Sequence, residues 1–128
     1  MKPILKYIVL LFAITTFNSC KKNNTGGKTK ISAFPQHHGK SIKGVTVYVK
    51  FNTTDMPSDP TSNYDLKVVG EEDEEHVHID GLRYGKYYLY AVGYDEDISE
   101  TVVGGIPLTI KWKDRKDQIN LDVPVSED

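Results

Sequence analysis

Beyond its first thirty residues, this chain places apolar and polar side chains in the two-residue period of a β-strand. Over residues 45–51, Val45, Val47, Val49 and Phe51 face one way while Thr46, Tyr48 and Lys50 face the other. Tyr64, Leu66 and Val68 repeat the pattern, as do Val77 and Ile79. In the aromatic stretch 86–94, Tyr87, Leu89 and Ala91 share one face and Tyr88, Tyr90 and Val92 the other. Residues 102–110 predict a further strand, with Gly104-Gly105 marking a bulge or break. Residues 118–125 bring Ile119, Leu121, Val123 and Val125 to one face. Residues 31–38 complete the set, and Pro35 predicts an edge strand or a bulge there. Turns fall at His38-Gly39-Lys40-Ser41 and Asp80-Gly81, and the longest irregular loop, 52–63, holds Met56-Pro57 and Asp59-Pro60. No segment spaces its apolar residues as a helix does. Seven short strands in about 95 residues predict an all-β fold, a single antiparallel β-sandwich. Its expected core is Val47, Val49, Phe51, Val77, Ile79, Leu82, Tyr87, Leu89, Leu121 and Val123.

The N-terminus follows another logic. Lys2 and Lys6 precede an uncharged, apolar run over residues 7–19, which is 13 residues long. A membrane-spanning helix needs roughly 17 to 25 apolar residues, whereas a secretory signal needs about 7 to 15, so the run predicts a signal peptide over residues 1–19. It stops at Phe17-Asn18-Ser19-Cys20 and gives way to Lys21-Lys22-Asn23-Asn24. This junction resembles the bacterial lipobox, in which a small residue precedes an obligatory cysteine. Thiolate chemistry explains the requirement, because a soft nucleophile must take a diacylglyceryl group as a thioether. The resemblance implies that Cys20 is the lipid attachment site and the first mature residue. Fatty acyl chains such as palmitate, at about 0.8 kcal/mol per buried methylene, would then hold the protein in a membrane.

Removing residues 1–19 from 128 leaves 109, enough for one domain with a core that needs neither disulfides nor metals. Cys20 is the chain's single cysteine. Losing the two signal lysines moves the net charge from −2 to −4, with no basic face, which argues against nucleic acid as a partner. Residues 20–29 carry no large apolar side chain and are expected to form a flexible tether. The sandwich is then expected over residues 30–126.

The run Ile79-Asp80-Gly81-Leu82-Arg83-Tyr84-Gly85-Lys86-Tyr87-Tyr88-Leu89 resembles the hallmark of carboxypeptidase regulatory-like domains. That hallmark is a Gly-Leu-x-Pro-Gly-x-Tyr turn leading into an inward-facing Tyr-x-Leu-x-Ala strand. Gly39-Lys40-Ser41-Ile42-Lys43-Gly44-Val45-Thr46-Val47 is similar to the family's other signature, Gly-x-Pro-Ile-x-Gly-Ala-x-Val. Tyr84 and Ser41 stand where the family usually has proline, which costs both turns some rigidity while their glycines keep positive φ available. The resemblance covers residues 30–125 and implies a transthyretin-like (prealbumin-like) Greek-key sandwich shared with the collagen-adhesin B-type repeats. In carboxypeptidases the module carries no catalytic residues, so the resemblance implies a non-catalytic binding or structural module without a cofactor.

Three constellations bear on chemistry. His76 and His78 lie two apart on one strand and project from the face opposite Val77 and Ile79, a spacing that supplies two ligands to zinc or copper; His37 and His38 add two imidazoles. The plainer reading makes His76 and His78 polar outward positions beside the solvated acidic run 71–75. Tyr88 and Tyr90, with Trp112 at a strand end, form an aromatic ligand-binding candidate for glycans or peptides; the plainer reading is a tyrosine-rich outer face favoured by β propensity. Asp95, Asp97 and Ser99 open like a calcium loop, but Glu100 replaces its glycine and Ile106 its closing Glu. No nucleophile elbow, zinc-protease helix or phosphate loop is present, so an enzyme is not expected.

The combination of lipobox and sandwich resembles lipoproteins of the Bacteroidetes type, whose surface-displayed members often carry acidic residues just after the cysteine. Here that place is Lys21-Lys22-Asn23-Asn24, with no acid until Asp55. The expected location is therefore the cell envelope, lipid-anchored and facing the periplasm, at the outer membrane rather than the inner. Expected partners are the membrane, through Cys20, and another envelope protein or a glycan.

Overall fold

Val47 and Val49 alternate with Tyr48 and Lys50 in a strand that buries the valines completely and leaves the other two half-exposed. The computed structural model describes residues 24–128, and the same inward–outward alternation organises most of it. In chain order the strands are β1 (Thr25–His37), β2 (Lys40–Ser41), β3 (Thr46–Phe51), β4 (Leu66–Val69), β5 (Val77–Leu82), β6 (Gly85–Asp95), β7 (Glu100–Ile110), β8 (Gln118–Pro124) and β9 (Ser126–Glu127). A 3-10 turn at Trp112–Asp114 lies between β7 and β8. The seven expected strands are present, and the two additions, β2 and β9, are two-residue pairings. The described residues contain no α-helix, and none of their helices is long and apolar enough to cross a membrane. The expected signal peptide, Cys20 and residues 21–23 lie outside the described residues.

The strands form two sheets. In one, β1 pairs with β5 and β2 along one edge and with β8 along the other. In the second, the order is β4-β3-β6-β7-β9. The inner faces share one core of Ile31, Val47, Ile79, Leu82, Leu89 and Val123, all at most 1% exposed, with Tyr87 among them. All ten residues expected in the core belong to this cluster, Phe51 and Leu121 as partly buried members at its margin. Each fully buried Val or Leu contributes roughly 1.5 to 3 kcal/mol, so the clean alternation is the principal source of stability.

Four expectations need correction. The sandwich is not wholly antiparallel, because β8 runs parallel to β1, from Lys30↔Gln118 to Gln36↔Pro124. The second sheet is built almost entirely from the chain between these strands, so no hairpin dictates their direction. Pro35 does not mark an edge, since β1 is the central strand of its sheet. The Pro35 carbonyl accepts from Ile42 N at 3.0 Å, so its missing N–H faces the same side, at the gap between β5 and β2.

Gly104-Gly105 is neither bulge nor break: β6 and β7 pair in unbroken register from Gly85↔Ile110 to Asp95↔Glu100. These glycines permit close approach instead. A Cβ on Gly104 would stand 2.1 Å from the Pro124 carbonyl oxygen, and one on Gly105 would stand 2.7 Å from the Tyr88 ring. Finally, residues 25–29, expected as tether, belong to β1. Thr29 is fully buried and donates from Oγ1 to the Arg115 carbonyl at 2.8 Å, and Asn24 N-terminal to it is also buried. Hydrogen bonding orders this segment where apolar burial does not. Its register jumps from Thr25↔Leu82 to Thr29↔Leu82, so residues 26–28 loop out of the pairing.

The motif at residues 81–87 acts as a turn and a plug. Gly81 takes φ +87° and Gly85 φ +151°, Leu82 is fully buried between them, and the Tyr87 hydroxyl donates back to the Arg83 carbonyl at 2.7 Å. At the opposite edge, the chain leaves the first sheet at Pro124, bonds from Val125 N to the Gln36 carbonyl at 2.9 Å, and enters the second sheet as β9. One short C-terminal segment thus ties both sheets together.

Candidate functional site

The outer face of the first sheet carries the histidine pair. Alternation along β5 turns Val77 and Ile79 inward and His78 outward, and His76 just before the strand points the same way. Their Nε2 atoms lie 2.9 Å apart with the rings edge-on, and Glu74 Oε2 is 3.9 Å from His76 Nε2. Ligand atoms of Glu74, His76 and His78 all fall within 4.8 Å of one another. Three neighbours fix this arrangement. Ser32 on β1 lies opposite His78, with its Oγ 3.3 Å from His78 Nδ1, and also accepts from Gln118 Nε2 at 3.2 Å. The Phe34 ring flanks His76, with centroids 5.4 Å apart. Glu74 closes the turn that begins at Glu71, and its carbonyl accepts from Gly44 N at 3.3 Å.

His37, counted in the sequence only as a spare imidazole, occupies a different place. It continues the inward row of Ile31, Ala33 and Pro35, and Asp95 continues the inward row of Tyr87, Leu89 and Ala91. That shared two-residue period is the signal by which both were legible as inward groups. They meet where the sheets converge: His37 Nδ1 is 2.8 Å from Asp95 Oδ2, and Nε2 is 3.2 Å from Glu127 Oε2. Lys40 reaches both Asp95 and Asp97. Hydrogen bonding to Asp95, with Glu127 assisting, raises the His37 pKa above its ordinary value against the opposing effect of burial. The same bond to His37 lowers that of Asp95. With a carboxylate at each ring nitrogen, an arrangement that favours its protonated form, His37 clamps the two sheets together. Asp95 and Asp97, the opening of the sequence's calcium-like loop, serve this clamp and the ion pair to Lys40.

The tyrosines fall into two groups. Tyr90 lies between Tyr48 on β3 and Gly105 on β7, and Tyr88 lies between Lys50 and Pro107. Tyr64 packs edge-on to Tyr48 with centroids 5.0 Å apart, and Lys67 Nζ stands 5.7 Å from the Tyr48 ring centre. Together they place an aromatic strip on the outer side of the second sheet, with Tyr48, Tyr88 and Tyr90 half-buried on its strands and Tyr64 exposed against Tyr48. Burial raises the pKa of both Tyr88 and Tyr90, and the charge of Asp128 adds to the rise at Tyr90. Trp112 does not join them. It packs edge-on against Tyr84 at 4.8 Å, and the Arg115 guanidinium covers it at 3.7 Å. Tyr84 lies in the bend between β5 and β6, outside the strand that carries Tyr88 and Tyr90, so Trp112 belongs to the end of the sandwich and not to the strip.

Cys20 lies outside the described residues. Comparison of the chain with protein-family models, with curated proteins and with solved structures returned no match.

Proposed function

We propose that the protein is a cell-envelope lipoprotein, anchored through Cys20 and facing the periplasm, whose sandwich is a non-catalytic binding module of the transthyretin-like, carboxypeptidase regulatory-like type. The observation that carries the binding role is the strip formed by Tyr64, Tyr48, Tyr90 and Tyr88. Tyr48 and Tyr90 in register on neighbouring strands, with the Tyr88 ring lying against Gly105, offer aromatic surface suited to stacking against the apolar face of a sugar ring. Lys50 and Asn63 at its margin, bonded at 3.0 Å, supply polar groups for hydroxyls. A glycan of the envelope is the favoured ligand.

Two measurements test this reading. Mass spectrometry of the membrane fraction should find Cys20 as an acylated N-terminus; an unmodified soluble protein would refute the anchor. Glycan-array binding should be strong for the wild-type protein and lost in Tyr88→Ala/Tyr90→Ala, with Trp112→Ala unaffected. Binding that depends on Trp112 instead would move the site to the end of the sandwich.

A further inference from the structure

We propose that Glu74, His76 and His78 form a binding site for one zinc-class divalent transition ion, on the sheet opposite the tyrosine strip and independent of it. Zinc takes imidazole and carboxylate ligands at about 2.0 to 2.2 Å, so two ligand atoms sharing one ion lie no more than about 4.3 Å apart. The His76–His78 separation of 2.9 Å and the His76–Glu74 separation of 3.9 Å both satisfy this limit. Glu74 is 41% exposed in its side chain, so a small rotation brings its carboxylate fully to the ion.

The surroundings accommodate the ligating tautomer. With its proton on Nδ1, His78 donates to Ser32 Oγ across 3.3 Å and its Nε2 lone pair faces His76. Gln118 donates to the same oxygen and holds it in place. This is the outer-shell hydrogen bond that metal-bound histidines commonly make. Without an ion, one of the two facing Nε2 atoms must carry a proton; with an ion, both lone pairs converge on it and that proton is released or moved to the other ring nitrogen of His76. The acidic run Glu71-Glu72-Asp73-Glu74-Glu75 and nearby Asp80 give the face a negative field that attracts a cation. Two imidazoles and one carboxylate exceed what hard ions seek, since calcium and magnesium prefer all-oxygen shells. Three protein ligands also leave a position for water or for a donor from a partner.

The other histidine cluster, His37, His38 and Glu127, also has ligand atoms within 4.8 Å of one another. It is not the site, because both ring nitrogens of His37 are engaged by Asp95 and Glu127.

The test is calorimetric titration of the full chain, purified in detergent and stripped with a chelator, with Zn²⁺ as the probe. One ion per chain should bind, and millimolar Ca²⁺ or Mg²⁺ should not displace it. His76→Gln and His78→Gln should each abolish stoichiometric binding, and His38→Gln should leave it unchanged. Ser32→Ala touches no ligand atom and should weaken binding about tenfold, as loss of an outer-shell partner does. Proton NMR of the unmutated protein gives a readout free of any folding defect: Zn²⁺ should shift the ring signals of His76 and His78 and leave those of His37 in place. Absence of binding, binding that survives both glutamine variants, or shifts confined to His37 and His38 would each overturn the proposal.

Discussion

His37 and Asp95, 58 residues apart and each only 4% exposed, bond at 2.8 Å across the two sheets. Because the pKa of His37 is raised in the folded state, its contribution is complete below the unfolded value of about 6.5 and is lost as pH rises through the higher folded value. Asp95 is shifted the other way. Its contribution is present above the ordinary carboxylate range and is lost as pH falls through its depressed folded value. Lys40 and Glu127 face the same pair, and the shift of each favours its charged form. Thermal unfolding followed from pH 3 to 9 should therefore show a melting temperature that falls on both flanks. His37→Gln should flatten the alkaline flank and lower the plateau; an unchanged alkaline flank would remove His37 as its cause.

Gly104 predicts a steric effect. An alanine there puts its Cβ 2.1 Å from the Pro124 carbonyl oxygen and 3.0 Å from Val125 Cα, both backbone atoms that cannot rotate away. Gly104→Ala should destabilise the fold by about 1 to 3 kcal/mol, the usual cost of overpacking. Urea unfolding measures it, and a variant as stable as the wild type would show that the C-terminal crossing shifts freely.

Much of this fold was legible because alternation is a local property. Val47 and Val49 on β3, and Tyr87, Leu89 and Ala91 on β6, declare their buried face without reference to any partner. The direction of β8 beside β1 was not legible, since it depends on where the intervening chain returns. Gly104-Gly105 misled for a similar reason: the glycines answer to the Pro124 carbonyl and the Tyr88 ring, neither of which their own neighbours reveal. Residues 25–29 lack the apolar side chains that announce a strand and are held by Thr29's hydrogen bond and by pairing with Leu82. His76 and His78 were visible as a same-face pair, but Glu74 was hidden in an acidic run in which no residue stands out by composition. Only the turn from Glu71 to Glu74 brings that carboxylate to the imidazoles.

Tyr87 predicts the value of the turn motif. Its hydroxyl donates to the Arg83 carbonyl at 2.7 Å and receives a longer bond, 3.4 Å, from Asn24 Nδ2, while its ring stays in the core against Phe51. Tyr87→Phe keeps the ring and removes both bonds, so it should cost about 1 to 2 kcal/mol. Hydrogen exchange should quicken at the Arg83 amide, which bonds to the Asn24 carbonyl at 2.9 Å. A stability loss with no change at Arg83 would mean that the hydroxyl does not anchor the turn.

The C-terminal strand β9 supplies the last prediction. Glu127 pairs with Val102 and Ser126 with Val103, while Asp128 N bonds to the Thr101 carbonyl at 3.3 Å, so three residues cover part of the β7 edge. Glu127 also provides one of the two carboxylates on His37. Removing residues 126–128 should therefore have two separable effects. Uncovering backbone N–H and C=O groups on β7 leaves an open sheet edge, which favours pairing between chains, and light scattering should detect association absent from the full-length protein. Losing Glu127 alone should lower the His37 pKa, because one raising influence is gone while burial still acts downward. NMR titration of His37 reads this directly, and Glu127→Gln separates the two effects by lowering the His37 value without opening the edge. If Glu127→Gln leaves His37 unmoved, Asp95 alone sustains the clamp, and β9 serves the fold only as an edge cover.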